Sequence, residues 1–327
     1  MKWLDGIMGV IIGDALGMPV QFLSREEVQA NPITKMEGYG TYNMPAGTWS
    51  DDGSMTLATL DSICVKRGLD YDDIMERFLA WNFEGKYTPA GKAFDQGITC
   101  TEAIYNYLRD RDYKTCGRTG EYANGNGALM RIMPVCLYVY EQHKKGVMKL
   151  NDALAHVHQV TALTHNHLRA KMASGIYFFM VQAILDETGT LLERLQMGMD
   201  RAKEFYGADI ANKVEWTRFA RMENLTDFAK VVEGDIKSSG YVVDSLEAAV
   251  WSLITTDSFE EGLLRAVNLG DDTDTVGAIA GGLAGLYYGY ESVPEEWRRV
   301  LCEINCCVCY NEYPLMKNNI RGDYYET

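Results

Sequence analysis

Apolar residues recur along this chain with the spacing of α-helices. Several segments carry them at i, i+4, i+7 and i+8, positions that share one helix face. These segments contain Met172, Ile176, Phe179, Met180, Ala183 and Ile184; Leu150, Leu154, Val157 and Val160; Leu57, Leu60 and Cys64; and Ile74, Phe78 and Trp81. Strand-like sequence is scarce apart from a short run of Tyr241, Val242 and Val243. The pattern predicts an all-α protein.

Two apolar segments near opposite ends of the chain carry glycine at every fourth position. The first contains Gly9, Gly13 and Gly17, and the second contains Gly277, Gly281, Gly285 and Gly289. Each glycine weakens a helix by about 1 kcal/mol relative to alanine, so a whole ridge indicates a compensating close approach of another backbone. We expect these two helices to pack together in the core, at or below the usual interaxial distance of about 8 Å.

The length of 327 residues allows about two domains. Only seven prolines occur, however, and no Ser/Gly/Pro-rich linker divides the chain. There is also no repeat at a period of about 30–45 residues that would indicate a solenoid. We therefore predict one domain spanning residues 1–327.

The charge balance is acidic, with 31 basic and 46 acidic residues and a net charge of −15. A phosphate backbone or an anionic membrane would be repelled, so we predict no nucleic-acid partner and no membrane association. No apolar run approaches the ~18 residues that span a bilayer, and Asp14 interrupts what would be a signal peptide. We expect a cytoplasmic protein, and the pattern specifies no oligomeric state.

Eight cysteines do not form a dense disulfide framework in a chain of this length, and without a secretory signal we interpret them as reduced thiols. Cys302, Cys306 and Cys309 fall at i, i+4 and i+7, which favours burial on one helix face. A zinc site would need a second Cys or His pair nearby, and no Cys or His follows Cys309. Zinc is therefore disfavoured.

Two short segments concentrate oxygen ligands immediately before apolar helical stretches. They are Ser50, Asp51 and Asp52, and Asp271, Asp272, Thr273, Asp274 and Thr275. One interpretation is a helix N-cap, in which such a side chain accepts hydrogen bonds from free backbone N–H groups. A cap needs one or two of these side chains, whereas each segment has several, and closely packed carboxylates repel unless a cation neutralises them. Their hard oxygens are the ligands preferred by Mg²⁺, Mn²⁺ and Ca²⁺.

Several other binding motifs do not occur in the sequence. Asp272 and Asp274 lack the remaining ligands of an EF-hand loop, which disfavours calcium. There is no G-x-x-x-x-G-K-[ST] motif, and residues 125–130 fail G-x-G-x-x-G at the last position. Standard NTPase and dinucleotide-binding folds are therefore excluded, and a Mg²⁺-class site fits better.

Six short blocks occur along the chain in a specific order. They read GDALGMP from Gly13, GTWSDD from Gly47, FDQG from Phe94, GNGALMR from Gly125, TH from Thr164 and GDDTDT from Gly270. Together they resemble the ADP-ribosylglycohydrolases, a family that includes dinitrogenase-reductase-activating glycohydrolase and the ADP-ribosyl-arginine and ADP-ribosyl-serine hydrolases. Six ordered blocks are far more specific than any one of them, and the resemblance covers roughly residues 1–290.

The resemblance implies an all-α, single-domain orthogonal helical bundle with two divalent cations, Mg²⁺ or Mn²⁺, at the base of an ADP-ribose cleft. The metal ligands that it implies are Ser50, Asp51, Asp52, Asp272, Asp274 and Thr275. The substrate contacts that it implies are Gly125, Asn126, Gly127, Arg131 and His165. Asp95 matches a carboxylate that assists at the ribose, and Asp51 belongs to the catalytic set as well as to the metal set. The implied reaction hydrolyses the glycosidic bond between ADP-ribose and an acceptor, expected to be arginine, in a protein or a small molecule.

Gln21 stands at a catalytic position where many family members have glutamate. Glutamine keeps the shape but cannot take a proton, so Asp95 or a metal ligand is expected to supply the base. Two other functions stay open at this level. One is a non-catalytic ADP-ribose-binding or structural protein, which Gln21 favours, and the other is a metal hydrolase of nucleotide phosphates.

Three residues also have simpler structural interpretations. Asp14 begins beside the first glycine ridge and is placed to bond backbone amides instead of a ligand. Arg131 is able to pair with a surface acid, and His165 with His167 is able to serve the fold alone.

Overall fold

The computed structural model describes residues 2–302, which contain fifteen α-helices. They are α1 (Trp3–Gly17), α2 (Arg25–Ala30), α3 (Asp51–Lys66), α4 (Tyr71–Glu84), α5 (Ile98–Asp110), α6 (Met133–Lys144), α7 (Leu150–Ala162), α8 (Leu168–Asp186), α9 (Leu191–Gly207), α10 (Lys213–Trp216), α11 (Leu225–Phe228), α12 (Val242–Ile254), α13 (Phe259–Val267), α14 (Thr273–Tyr288) and α15 (Glu295–Val300). Within this part of the chain the β-type pairing consists of two isolated bridges, Arg118 with His165 and Gly125 with Tyr241. The all-α prediction is confirmed.

The four apolar stripes lie on α3, α4, α7 and α8, and their residues are buried apart from the partly buried Leu150. The strand-like run is different, because Val242 and Val243 begin α12 and Tyr241 is its N-cap residue. This strand-like run therefore forms no strand. Val242 and Val243 are both buried on the core side of that helix, and this burial outweighs the β-propensity of a short β-branched pair.

Helices α1 and α14 pack through their glycines. A Cβ atom built on Gly13 would lie 1.9 Å from the carbonyl oxygen of Gly277, and one on Gly9 would lie 2.0 Å from that of Gly281. Side chains cannot occupy such spaces, so the two backbones are in direct contact and the expected close approach is confirmed. Because residue numbers rise in one helix as they fall in the other, the pair is antiparallel.

Gly289 does not belong to this contact. It is the C-cap residue of α14, with φ +86°, and a Cβ there would meet nothing within 4 Å. Gly289 therefore ends the helix in a conformation that favours glycine, and the ridge consists of Gly277, Gly281 and Gly285.

The stretch Trp3–Val20 is long and apolar enough to cross a membrane by length and composition, although we expected no such stretch. Of this window, 89% is buried inside the protein, where α1 packs against α14. The apolar composition of this stretch is thus explained by burial, because a helix that is buried on most sides is apolar on most sides.

The cysteine prediction is tested in part. Within residues 2–302 no disulfide is formed. Cys302 is half-buried, lies two residues beyond the end of α15 and has its Sγ 3.7 Å from Thr48 Oγ1. Cys306, Cys307 and Cys309 lie outside the described residues.

We predict that Gly13→Ala lowers the free energy of unfolding by about 3 kcal/mol, because its Cβ would push α1 away from the backbone of α14. Urea denaturation followed by circular dichroism measures the change. The control is Gly207→Ala at the end of α9, where a Cβ meets nothing within 4 Å and the change should stay within about 0.5 kcal/mol. If Gly13→Ala and Gly207→Ala change the free energy of unfolding equally, the close backbone contact between α1 and α14 at Gly13 is contradicted.

Candidate active site

The floor of the candidate site forms where the N-termini of α3 and α14 lie beside the end of α1. Ser50 and Asp272 occupy the N-cap positions of the two helices, yet neither side chain accepts a capping hydrogen bond. Asp14 of α1 caps α3 instead, accepting from Ser50 N at 2.8 and 3.0 Å and from Gly53 N at 2.7 Å. The capping interpretation was therefore wrong for Ser50 and Asp272, whereas the backbone-binding interpretation of Asp14 is confirmed.

The carboxylates of this floor are buried together. Asp51, Asp52, Asp272 and Asp274 are each at most 8% exposed. Burial, followed by repulsion from neighbouring carboxylates, raises the pKa of Asp51, Asp52 and Asp274 well above the usual value. Within residues 2–302, no Lys, Arg or His forms an ion pair with any of the four. The floor therefore concentrates acidic groups without a compensating side chain.

Several buried oxygens of the site have no hydrogen-bond donor among the described residues. They are Gln21 Oε1, Asp52 Oδ1, Asp95 Oδ2 and Asp274 Oδ2. The second oxygen of Asp52 accepts from Ser50 Oγ at 3.2 Å and from Thr275 Oγ1 at 3.5 Å. Open buried acceptors of this kind are uncommon in folded proteins, where a missing ion is one explanation.

The oxygen atoms of the floor are chemically suitable ligands for a divalent cation, because they belong to carboxylate and hydroxyl groups. No three His, Cys, Asp or Glu side chains within residues 2–302 already converge as a ligand cluster, however. The fit to Mg²⁺ or Mn²⁺ therefore rests on the open oxygens and on their uncompensated charge. A cation would draw together carboxylates that repel each other without it.

Two amide groups hold Asp272. Asn126 Nδ2 donates to its Oδ2 at 2.5 Å, and Gln21 Nε2 donates to its Oδ1 at 3.3 Å. Burial raises the pKa of Asp272, and these two hydrogen bonds oppose the rise. Asn126 is itself placed by a hydrogen bond to Ser245 Oγ at 2.8 Å and by its backbone N–H, which donates to Gly240 O at 3.1 Å. Gln21 therefore acts as a hydrogen-bond donor within the site.

A cleft of about 270 Å³ opens above the floor. Its lining includes Gln21, Asp51, Asp95, Asp272 and Thr275, together with Gly125, Asn126, Gly127 and His165. Ser50, Asp52 and Asp274 are buried beneath this lining. A separate cavity of about 330 Å³ beside Trp49 and Cys302 contains none of the predicted site residues.

His165 lies against Gly125 and Gly127 in the lining of the cleft. A Cβ on Gly127 would lie 3.1 Å from its Cε1, and one on Gly125 would lie 3.3 Å from its Nε2, so both positions favour glycine. Its Nδ1 is 2.8 Å from Thr164 Oγ1. Burial, aided by the charges of Arg131 and Arg118, lowers the pKa of His165 to about 3, so the imidazole is neutral at physiological pH. His167 has a different role, since its Nδ1 accepts from Arg169 N and caps α8.

Arg131 is the one predicted contact residue that does not line the cleft. Its side chain is fully buried, lies over the ring of Phe78 and donates from Nη2 to Thr164 Oγ1 at 2.8 Å. Burial lowers its pKa to about 10. Pairing with a surface acid was therefore a wrong expectation, whereas the substrate contact stays a prediction. Arg131 reaches the cleft through Thr164, which also bonds His165.

Asp95 lies in the lining of the cleft and has a partner that the sequence did not reveal. Tyr42 Oη donates to Asp95 Oδ1 at 2.5 Å, while Oδ2 has no donor. Tyr42 follows a glycine-rich and tyrosine-rich stretch without helical periodicity, so no local signal marks it. Ser245 and Gly240, which place Asn126, were also missed, because they lie more than 100 residues from it in the chain.

Comparison with known proteins identifies the family to which this fold and this cleft belong. A family model described as ADP-ribosylglycohydrolase matches residues 2–319. The chain belongs to the ADP-ribosylglycohydrolase family. Its members are hydrolases of glycosidic bonds, and the cleft built on α3 and α14 is the candidate active site of this ADP-ribosylglycohydrolase.

Individual relatives agree with this assignment. The chain is 31% identical over 296 residues to ADP-ribosylarginine hydrolase Tri1 of Serratia proteamaculans, covering 90% of this chain and 74% of that protein. It is 30% identical to ADP-ribosyl-[dinitrogen reductase] glycohydrolase of Rhodospirillum rubrum, covering 90% and 88%. A solved structure titled "ADP-ribosylglycohydrolase-related protein complex" superposes with a TM-score of 0.72 at 29% identity, over 98% of this chain and 95% of that one.

We predict that, in EDTA, the free energy of unfolding falls as pH rises from about 4 to about 7. Burial raises the pKa of Asp14 from 3.8 to about 7, so over this range the folded protein keeps a proton that the unfolded chain has lost. The buried carboxylates of the floor add to the effect in the same direction. Urea denaturation across the pH range measures it.

The variant Asp14→Asn serves as the control, because it removes one titrating group and should make the decline shallower. Excess Mg²⁺ should flatten the decline in the unmodified protein if the floor binds the cation. Stability that rises from pH about 4 to about 7 in EDTA would contradict the prediction.

Proposed function

We propose that this ADP-ribosylglycohydrolase releases ADP-ribose from arginine side chains or small ADP-ribosylated acceptors. We propose also that it uses two divalent cations, Mg²⁺ or Mn²⁺, held by Ser50, Asp51, Asp52, Asp272, Asp274 and Thr275. The observation that carries the proposal is the buried, uncompensated set of acidic oxygens beneath the cleft. The acceptor is supported by the relatives from Serratia proteamaculans and Pseudomonas putida, both named ADP-ribosylarginine hydrolase Tri1.

The chemistry required is the cleavage of a glycosidic bond at the ribose, which passes through an oxocarbenium-like state. Divalent cations, when bound, would orient the ribose hydroxyls and lower the pKa of a bound water. Asp95 lines the cleft with one oxygen free of donors, so it is the carboxylate to which we assign the base. Gln21 cannot take this part, because its amide donates to Asp272 and carries no titratable proton.

The part of the cleft lined by Gly125, Asn126, Gly127 and His165 suits the diphosphate. Gly125 and Gly127 let His165 lie close against their backbone, and the neutral His165 offers hydrogen bonding without charge. An anionic ligand above an acidic floor needs positive charge nearby, and bound cations would provide it. Arg131 is buried behind Thr164 and leaves this requirement to the cations.

We predict that the purified protein releases free ADP-ribose from ADP-ribosyl-arginine in the presence of Mg²⁺ or Mn²⁺, and that EDTA abolishes the release. Asp51→Ala and Asp274→Ala should each lower the rate by at least about 100-fold. Their melting temperatures in EDTA should not fall, because removing a buried carboxylate relieves repulsion. Chromatography of the released nucleotide measures the rate.

The control is Asp227→Ala, which removes an exposed carboxylate on α11 and should leave the rate unchanged. Tight ADP-ribose binding in calorimetry without turnover would replace this function with that of a binding protein. Phosphate release without ADP-ribose release would identify a nucleotide phosphate hydrolase. Activity that survives EDTA would refute the metal dependence.

Gln21→Glu tests the role of the amide beside Asp272. The substitution exchanges a donor for a carboxylate 3.3 Å from Asp272 Oδ1, so we expect the free energy of unfolding in EDTA at neutral pH to fall by about 1–2 kcal/mol. We expect kcat to rise no more than about twofold, because Asp95 supplies the base. Urea denaturation and the ADP-ribose assay measure the two effects.

Gln29→Glu is a matched control, since the amide of Gln29 also donates to a carboxylate, that of Glu233, but at an exposed position. Water screens the new repulsion there, and stability should change by only a few tenths of a kcal/mol. A large rise in kcat for Gln21→Glu would show that the position is catalytic and that glutamine holds the enzyme back.

A further inference from the structure

Asp95 lies on a segment without regular structure. Residues 85–97 connect α4 to α5, and Asp95 itself has φ +55°, in the left-handed region. No helix turn fixes its side chain, in contrast to Asp51 and Asp274, which lie in the first turns of α3 and α14. The position of this carboxylate must therefore come from a tertiary contact.

Tyr42 supplies that contact. Its hydroxyl donates to Asp95 Oδ1 at 2.5 Å, and its ring packs on Phe94 with centroids 5.3 Å apart. One oxygen of the carboxylate and the residue before it are thus both held by a single side chain. The remaining oxygen, Oδ2, is buried and has no donor.

The segment that carries Tyr42 is attached to the end of α1. Thr41 Oγ1 donates to Gln21 O at 2.7 Å, and Thr41 N donates to Pro19 O at 2.9 Å. A Cβ on Gly40 would lie 1.8 Å from Pro19 O, so glycine is required for this approach. Tyr42 therefore connects Asp95 to the same backbone that places Gln21 in the cleft.

The surroundings of Tyr42 favour the donor form of its hydroxyl. Burial raises the pKa of Tyr42 far above its usual value, and the carboxylates of Asp95, Asp274 and Asp51 raise it further. The hydroxyl thus keeps its proton and keeps Asp95 Oδ1 occupied. One lone pair of Oδ1 is thereby used, whereas Oδ2 keeps both of its lone pairs free of donors among the described residues.

We propose that Tyr42 is a positioning residue, whose hydroxyl holds Oδ1 of Asp95 so that Oδ2 is the oxygen presented to the ADP-ribosyl substrate. This inference rests on the proposed function, since it assigns Asp95 a part in ADP-ribose release. Tyr42 acts only through Asp95 and takes no part in the bond cleavage itself.

The test uses Tyr42→Phe, which removes the hydroxyl and keeps the ring on Phe94. We expect kcat for ADP-ribose release to fall about tenfold while KM changes less than about twofold, because the carboxylate loses its orientation rather than its place. Tyr39→Phe is the matched control. Tyr39 lies in the same loop and is 71% exposed, and its side chain has no hydrogen bond among the described residues. Removal of its hydroxyl should therefore leave kcat unchanged.

A double-mutant cycle with Asp95→Asn separates positioning from a general structural role. If Tyr42 acts through Asp95, adding Tyr42→Phe to Asp95→Asn causes no further loss of kcat. Calorimetry with ADP-ribose gives a readout without turnover, in which Tyr42→Phe should change the dissociation constant, like KM, by less than about twofold.

The outcomes are distinct. Unchanged kcat in Tyr42→Phe overturns the inference, and so does an equal further loss in both backgrounds or a raised KM with a lowered melting temperature. Absence of both ADP-ribose release and ADP-ribose binding in the unmodified protein overturns the proposed function instead, and the inference with it.

Discussion

The direct backbone contact between α1 and α14 is the constraint on which the rest of the structure depends. The glycines of each helix leave room for the carbonyl groups of the other, as between Gly13 and Gly277. Because the helices are antiparallel, the end of α1 lies beside the start of α14. This geometry brings Gln21 to Asp272 and lets Asp14 reach the first amides of α3. Separation of the two helices would also separate the two acidic segments.

Asp14 caps α3, so the neighbouring carboxylates do not have to cap that helix. By capping α3 from another helix, it leaves the side chains of Ser50 and Asp51 without a capping role. The result is a buried group of acids, and burial raises the pKa of Asp14 and Asp51 so that protonation becomes easier. Such conflict between stability and local charge is typical of functional sites, and here it lies directly beneath the cleft.

Features with a local signal were predictable. Helical periodicity marks α3, α4, α7 and α8, and the glycine ridges mark the contact between α1 and α14, because both depend on the spacing of residues along one helix. Arg131 shows where this reasoning ends. It follows the glycine segment in sequence, but its side chain turns away from the cleft and into the core beneath Thr164. Tyr42 and Asp95 are 53 residues apart, and neither lies in a helix, so no pattern connects them.

The sequence by itself determined the helical class, the pairing of the two glycine helices, the acidic segments and, through six ordered blocks, the family. These properties depend on residue type and spacing, which are local. Only the tertiary structure decided which carboxylate caps a helix, which amide holds Asp272 and which side chain orients Asp95. Those roles depend on the direction of each side chain in the folded protein, and that direction follows from packing between segments far apart in the chain.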